Sequence, residues 1–575
     1  MALDFNLLVG GEAGQGVQSV GLILSKAIAR GGLHVFADQD YESRVRGGHN
    51  FFRIRVSDTE VLAASEELDI MIALNRETVD IHKSEMKEVG IIIFDGEQIM
   101  LDARDKKFFS APLSRLAEEK AGNKIMANTV AVGVALGLVG YDFHILESVL
   151  KKEFEHQGEK IVEGNLAAAG AGFSFSTEEN RISFKPQLHP LDKSPERMLI
   201  NGNEALALGA LAGGCKFISG YPMTPATLIL EYFADKGREY NAVAVHVEDE
   251  ISAINMAIGA AYTGVRAMTA TSGGGFSLMA EGLSLAGMTE TSVVIVLGQR
   301  PGPATGMPTR TEQGDLELAL HAGHGEFPRA ILAPPDAENA FSAIIKAFNL
   351  AEKYQTPVIV LSDHHLVTSY TTINRFELKK VYIDRGELLS DKEAESTIDY
   401  KRHVLTDSGI SPRAFPSQGK ALVVTDSDEH DESGHMIEDA ETRVQQNLKR
   451  MRKIIGLKKE ISPPELNRML DAKLTLIGWG STRGAIREAA ILLKDKGIAA
   501  DTIHFCEIYP FPVEEFTSLL EGNTRTIVIE SNATAQFSHL IRRETGINIK
   551  DTVLRFDGRP ITANYIIERI KEAGR

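Results

Sequence analysis

Cysteine is almost missing from this chain of 575 residues, which holds only Cys215 and Cys506. An iron-sulfur cluster normally takes four thiolates and a structural zinc site several Cys or His, so no such metal site is expected from this chain alone. Nothing reads as a disulfide framework, which fits a reducing compartment, and both thiols read as small buried hydrophobes. Basic residues are in deficit, 62 against 79 acidic ones, and a net charge of −17 makes nucleic acid and anionic membrane poor partners. Long apolar runs are lacking too. The longest, residues 125–140, is broken by Asn128 and Thr129 and falls short of the roughly 18 residues that a membrane span needs. The opening MALDFNLLVGG carries Asp4 and no basic region, so it does not read as a secretory signal. These absences place the protein in the cytoplasm, with proteins or small molecules as partners.

What is present is an ordinary globular composition, 43% apolar and 25% charged, long enough at about 150 residues per domain for three or four domains. The first 190 residues or so repeat a β-branched run, a glycine turn and an amphipathic helix, clearest in FNLLVGGEAGQGVQSVGLILSKAIARGG. Strands alternating with helices predict a parallel sheet. A proline-containing stretch, SFKPQLHPLDKSPERM, reads as a linker. A second α/β unit begins at Leu199 with four strand-helix pairs and ends near TPVIVLSDHHLV; residues 370–465 are polar, and TDSDEHDESGHMIEDAETRVQQNLKRMRKI reads as a solvated segment leading into a helix. From LTLIGWG to the C-terminus the alternation resumes.

Several turns at the ends of predicted strands carry chemistry. Gly11 to Gly16 follows a strand and opens a helix, where backbone N–H groups can hold a phosphate or where glycine simply lets the two elements pack. Downstream, Arg44, Arg46, Gly47, Gly48, His49, Arg53 and Arg55 concentrate positive charge, suited to a pyrophosphate or to a solvated basic strand. Gly220-Tyr221-Pro222-Met223-Thr224-Pro225 sets Thr224 at the carboxyl end of a strand, as a helix cap or a ligand-binding hydroxyl. Val247-Glu248-Asp249-Glu250 leads into a helix. Its acids suit the helix dipole, but Glu250 starts the apolar face continued by Ile254, Ala257 and Ile258 and is predicted to point inward, where a carboxyl needs a partner. Thr271-Ser272-Gly273-Gly274-Gly275 lets a ligand touch backbone. The long loop from Gln299 to Asp315, with Arg300 and Arg310, fits capture of a carboxylate, the alternative being arginines in water. His430, Asp431, Glu432 and His435 invite a metal hypothesis, but residues five apart do not share a helix face, and a charged surface is the preferred reading.

Together these motifs resemble the α-subunit of 2-oxoacid:ferredoxin oxidoreductases in the form with a γ-domain fused at the N-terminus. GGEAGQGVQS, ESRVRGGHNFFRIR and MANTVAVGVALG mark the γ-domain; GYPMTP, EDEISAINMAIGAA, TATSGGGFSLMAEG and GQRPGPATGMPTRTEQGD mark the domain that binds the aminopyrimidine of thiamine diphosphate. Met223 stands where many relatives carry Ile. The resemblance implies three α/β domains: a γ-domain over 1–190, a pyrimidine-binding domain over 195–375 and, after a charged linker over 376–465, a transketolase C-terminal-like domain over 466–575. It implies thiamine diphosphate shared with a separate β-subunit that holds the diphosphate, Mg2+ and a [4Fe-4S] cluster, coenzyme A (CoA) as acyl acceptor, ferredoxin as electron partner, and an (αβ)2 heterotetramer. Glu250 would hydrogen-bond the pyrimidine ring nitrogen and favour the imino tautomer that removes the thiazolium proton. Thr224, Arg300 and Thr309 would contact the 2-oxoacid, Arg300 through its carboxylate; Tyr221, Pro222, Ser272 and Gly273 would line the cofactor; Gly14, Gly16, Arg44 and Arg46 would meet CoA. The fused arrangement and the DEHDESGH segment look most like forms acting on 2-oxoglutarate, while pyruvate and branched-chain 2-oxoacids use the same core motifs, and reductive carboxylation is open as the direction. A non-catalytic scaffold and a self-contained nicotinamide enzyme are the rival expectations.

Overall fold

The computed structural model describes residues 3–43, 47–101, 105–179, 184–192, 194–520 and 525–573. The chain gathers into two compact units, Met1–Ile200 with Thr368–Arg375, and Asn201–Val367 with Phe376–Arg575.

In the first unit the run FNLLVGG becomes the strand Phe5–Ala13, and the glycine turn after it opens the helix Val17–Arg30. Val20, Ile23, Leu24, Ala27 and Ile28 recur there at helical spacing and are buried. One sheet runs in the order Phe108–Ala111, Met86–Asp95, Leu68–Ala73, Phe5–Ala13, Gly47–Ser57, His34–Asp40, Tyr370–Asn374, Arg197–Asn201. The sheet is mixed, where alternation alone predicts a parallel one. Phe5–Ala13, Leu68–Ala73 and Met86–Asp95 are parallel neighbours, but Gly47–Ser57 is antiparallel to both Phe5–Ala13 and His34–Asp40. The short connection from Asp40 to Gly47 has no room for the crossover that parallel neighbours require.

Residues of the near-apolar stretch form the helix Ala127–Leu138, apolar all round because nearly every residue is buried. It packs on Glu159–Ser174, where a Cβ added to Gly133 would meet the Ala169 carbonyl at 2.1 Å and one on Gly172 the Val130 carbonyl at 2.1 Å. No helix among the described residues is long and apolar enough to cross a membrane. The proline-containing stretch is docked: Leu188 is fully buried, and the Leu188 and Leu191 amides donate to the carbonyls of Val139 and Gly31.

The second unit holds two sheets. The larger runs Glu507–Tyr509, Ala330–Leu332, Pro357–Asp363, Val293–Gln299, Ala267–Ser272, Phe217–Gly220, Val243–His246, parallel except at the Glu507–Tyr509 edge. The smaller runs Glu465–Asn467, Ala500–Phe505, Leu474–Trp479, Arg525–Glu530, Asp551–Leu554. A single apolar core joins them, with Ile295, Leu297 and Ile359 packed among Trp479, Phe505 and Phe537.

The charged stretch before the smaller sheet is folded rather than solvated. Its helix Ala440–Glu460 buries Gln446, Lys449, Arg450 and Lys453. The cause lies elsewhere in the chain, in the buried acid Glu290, which pairs with Lys449 and Lys453, while Arg450 pairs with Glu429.

Candidate active site

Register across the larger sheet decides which loops meet. Gly220 lies beside His246, Ser272 beside Gly298, and Gln299 beside Asp363, so the turns that follow all leave the same carboxyl edge. Four motifs far apart in sequence thus emerge side by side, where parallel sheets bind ligands.

Arg300 ties two of them together, since its Nη1 donates to the Thr224 carbonyl at 2.7 Å. Thr224 is no helix cap, because the following helix Thr227–Lys236 is capped at Ala226. Asn203, fully buried, donates from Nδ2 to the Pro225 carbonyl at 2.9 Å and fixes the turn from behind. Tyr221 and Pro222 are exposed at its rim, the Tyr221 ring 6.3 Å from that of His246. Arg300 is 9% exposed, which rules out an arginine held in water. Burial lowers its guanidinium, and Asp315 opposes that shift.

The loop that carries Arg300 is anchored by two glutamines. Gln299 donates to the Ser362 carbonyl and accepts from the Asp315 amide, while Gln313 donates to the Trp479 carbonyl and accepts from the Ser531 amide. Thr309 is buried within this loop, and the Thr311 hydroxyl, two residues on, lies 3.3 Å from Asp363 Oδ1. Two acids here escaped the reading of the loop for its arginines. Burial pushes the Asp315 carboxyl up to about 6 against the pull of Arg300, and pushes Glu312 up to about 7 with Asp315's charge adding to it.

Glu250 is the first residue of the helix Glu250–Tyr262, which Asp249 caps by accepting the Ser252 amide at 2.7 Å. Glu248 is exposed, whereas Glu250 is 4% exposed, as its helical spacing predicts. Its Oε1 is buried without a hydrogen-bond partner among the described residues, and so are Thr271 Oγ1, Ser272 Oγ and Asp315 Oδ2. Glycine brings Thr271 Oγ1 and Glu250 Oε1 together and lets Asp315 close on the same turn. A Cβ on Gly275 would fall 2.1 Å from Thr271 Oγ1 and 2.5 Å from Glu250 Oε1, and one on Gly273 would fall 2.4 Å from Asp315 Oδ2. Buried polar atoms are almost always satisfied, so orphans beneath a glycine turn are where a polar ligand or an ordered water can bond. Gly275→Ala is expected to destabilise the protein by about 1–3 kcal/mol through overpacking, read as a lower denaturation midpoint. An unchanged midpoint would mean that Glu250 and Thr271 withdraw freely.

In the first unit Gly14 and Gly16 are both left-handed, φ 91° and 77°. Gly16 caps the helix Val17–Arg30 with no side-chain bond, and a Cβ there would meet Asn128 Nδ2 at 2.3 Å. Arg44 and Arg46 lie outside the described residues. The expected basic patch is otherwise spent: Arg53 pairs with Glu85 and Arg55 with Asp4. His49 contacts His82 through Nε2 at 2.8 Å, and burial together with His82 pushes it down to about 4, so it adds no positive charge at neutral pH. No sequence spacing announces this pair.

Among the described residues one group, Glu290, His403 and His430, could gather three metal ligands. Lys449 and His403 hold Glu290 Oε1 at 2.6 and 3.0 Å and Lys453 forms an ion pair with Oε2, so the charge of this carboxylate is met by ammonium groups. His430 is buried with Nδ1 on the Asp428 carbonyl at 3.0 Å, whereas His435 is exposed. Cys215 is buried and its thiol pushed up to about 12, while Cys506 is half-buried, with Sγ 3.4 Å from Glu465 Oε1.

Residues 208–449 match the family described as pyruvate flavodoxin/ferredoxin oxidoreductase, thiamine diphosphate-binding, and residues 6–175 match pyruvate ferredoxin/flavodoxin oxidoreductase. The 2-oxoacid:ferredoxin oxidoreductase subunit alpha of a Sulfolobus species is 34% identical over 98% of this chain and 96% of its own length. The 2-oxoglutarate synthase subunit KorA of Methanothermobacter thermautotrophicus is 32% identical over 66% of this chain and all of its own length, 100%. The solved 2-oxoglutarate:ferredoxin oxidoreductase of Magnetococcus marinus, with 2-oxoglutarate, coenzyme A and succinyl-CoA bound, covers 100% of both chains at 32% identity with a TM-score of 0.92.

Proposed function

This chain belongs to the family of 2-oxoacid:ferredoxin oxidoreductase α-subunits, and from that premise we propose that it forms the substrate- and pyrimidine-binding half of an active site interconverting 2-oxoglutarate plus CoA with succinyl-CoA plus CO2. Electrons pass to or from ferredoxin. The observation that carries this reading is the buried Glu250 carboxyl with an unpartnered oxygen, grouped with the orphan hydroxyls of Thr271 and Ser272 at a parallel sheet's carboxyl edge. That set suits an aminopyrimidine, whose ring nitrogens and amino group offer both donors and acceptors. Thiamine diphosphate supplies, when bound, the heterocycle that makes loss of CO2 from a 2-oxoacid feasible.

Glu250 holds a proton at the pyrimidine ring nitrogen, acting as general acid-base partner. Tyr221, Pro222, Ser272 and Gly273 would line the cofactor, Tyr221 and Pro222 from the exposed rim and Ser272 and Gly273 from the buried base of the turn. Thr224, Arg300 and Thr309 take the 2-oxoacid, Arg300 pairing with its carboxylate while its bond to the Thr224 carbonyl sets its aim. The choice of 2-oxoglutarate rests on relatives of that name.

A β-subunit would hold the diphosphate, Mg2+ and a [4Fe-4S] cluster, in an (αβ)2 assembly. Two cysteines in the whole chain support a cluster held elsewhere. Apolar side chains left exposed in the turns and helices at this edge, Tyr221, Leu228, Ile251, Leu278 and Met307, support a covering partner. CoA would meet the first unit at Gly14, Gly16, Arg44 and Arg46.

The test is CoA-dependent dye reduction by the assembled complex across several 2-oxoacids, with the highest kcat/KM expected for 2-oxoglutarate. No turnover of any 2-oxoacid would overturn the reading. In that assay Arg300→Met is expected to raise the KM for the 2-oxoacid about 10- to 100-fold, the worth of one charged hydrogen bond, with a smaller change in kcat. An unchanged KM would remove Arg300 from the substrate site.

A further inference from the structure

Positive charge is buried in excess in the second unit. Arg266, Arg402 and Arg413 are 4%, 4% and 5% exposed, and Lys449 and Lys453 are buried as well. Two buried carboxylates answer these five cations. Glu290 is shared by the two lysines. Glu352 takes Arg266 at 2.6 Å and Arg413 at only 3.5 Å, and it also serves the partly exposed Arg385 at 2.8 Å. Arg402 has no carboxylate partner among the described residues, and its guanidinium donates to Gln355 Oε1 at 2.9 Å and to the Glu290 carbonyl at 2.7 Å, both uncharged. A buried charge without a counter-charge is costly, so the surplus calls for an anion.

There is room for one. A cavity of about 10 Å3 is lined by both Arg402 and Arg413, with Tyr262, Glu290, Ser292 and Phe415. Such a space takes about one particle of the size of a water molecule. Arg413 brings to it a buried Nε with no hydrogen-bond partner among the described residues, while its Nη2 is taken by the Arg385 carbonyl at 2.6 Å. The Phe415 ring, 5.6 Å from Arg413 Cζ, walls that guanidinium with an aromatic face instead of water. Burial, with Arg402 and Arg385 adding to it, pushes Arg413 down to about 10 in spite of Glu352. The groups around the cavity that would repel an anion are already engaged. Glu290 gives its carboxylate to Lys449 and Lys453, and at the end of the helix Glu250–Tyr262 the Ala260 and Ala261 carbonyls accept from the Val265 and Gly264 amides. Water in the cavity would satisfy Nε but leave the surplus charge, and a cation would add to it.

We propose that this cavity is a site for one small monovalent anion of chloride size, which accepts a hydrogen bond from Arg413 Nε, faces Arg402, and ties the segment bearing these arginines to the helix that Glu250 begins. The inference is independent of the reaction assigned above, because it uses no residue of the candidate active site as a ligand.

Urea melts of the full chain test it, at constant ionic strength with chloride replacing gluconate, an anion too large for the cavity. Once chloride exceeds its dissociation constant, each tenfold rise is expected to lower the unfolding constant about tenfold, and bromide to act alike. Arg413→Met is expected to lose this dependence while keeping any general effect of salt, so the difference between parent and variant reads the site alone. Bromide-soaked crystals of the parent, which need no variant to fold, are expected to show an anomalous peak within hydrogen-bond reach of Arg413 Nε. Stability that ignores chloride, even where bromide enters the crystal, a chloride dependence that survives in Arg413→Met, or a cavity that holds only water in bromide would each overturn the proposal.

Discussion

Glu250→Gln, assembled with the partner subunit, is expected to lower 2-oxoacid-dependent electron transfer at least about a hundredfold, the lower end of what a positioned acid-base group contributes. Glutamine fills the same volume but cannot exchange a proton at the pyrimidine nitrogen, so the loss belongs in kcat more than in the KM for the 2-oxoacid. Folding is not at issue: the carboxyl has one oxygen without a partner, and an amide of equal size leaves the packing of Ile254 and Ala257 as it is. The denaturation midpoint is therefore expected to stay within about 1 kcal/mol of the parent. Glu250→Ala is expected to match it in activity. Turnover near that of the parent in either variant would sink the role assigned to this side chain, and a collapsed midpoint would show that it is structural.

Glu290→Gln is expected to do the opposite, costing about 3–5 kcal/mol of stability, because breaking a buried ion pair strands the charges left behind. Two ammonium groups depend on this one carboxylate. Glu290 and Lys449 side chains are 0% exposed and 2.6 Å apart, and Lys453 closes on the other oxygen. Burial pushes the Glu290 carboxyl up, but Lys449 and Lys453 outweigh it and hold it well below the usual carboxylate range. Burial pushes both lysines down as well, so the cluster is held by mutual charge rather than by water.

The sign of the pH dependence follows. A depressed folded value means stability that is fully present above the unfolded carboxyl value, near 4.5, and is lost as pH falls through the folded value. The deficit of Glu290→Gln should be full at pH 7 and should narrow only in acid. Adding Lys449→Met and Lys453→Met to Glu290→Gln is expected to recover most of the loss, since apolar replacement of a buried ion cluster is often neutral or favourable. Denaturant melts at pH 7 and pH 4 read both effects, and a variant as stable as its parent at pH 7 would show the lysines to be satisfied without Glu290.

Much of the site was legible because local spacing is physical information. The step from Glu250 to Ile254, Ala257 and Ile258 is one face of a helix, and that face is buried. Glycines beside a strand end mark close approach, and Gly273 and Gly275 have no room for a Cβ. Spacing said nothing of Asp315 or Glu312, whose raised carboxyls come from enclosure by a loop that Gln299 and Gln313 pin to strands far away. It also misjudged residues 426–453: a run of charges looks solvated unless the acids awaiting it are known, and Glu290 is 159 residues from Lys449.

From its own order of residues this chain settled the alternation of strands and helices, the inward turn of Glu250 and the want of thiolates for a cluster, because each depends on neighbours a few positions apart or on composition alone. Tertiary structure alone decided the antiparallel strands in the first unit's sheet, the bond between Arg300 and the Thr224 carbonyl, the neutral His49 beside His82, and the helix that buries its cations. A repeat along the chain fixes which side chains share a face. What that face meets is set by residues dozens to hundreds of positions away, and by how much water they leave.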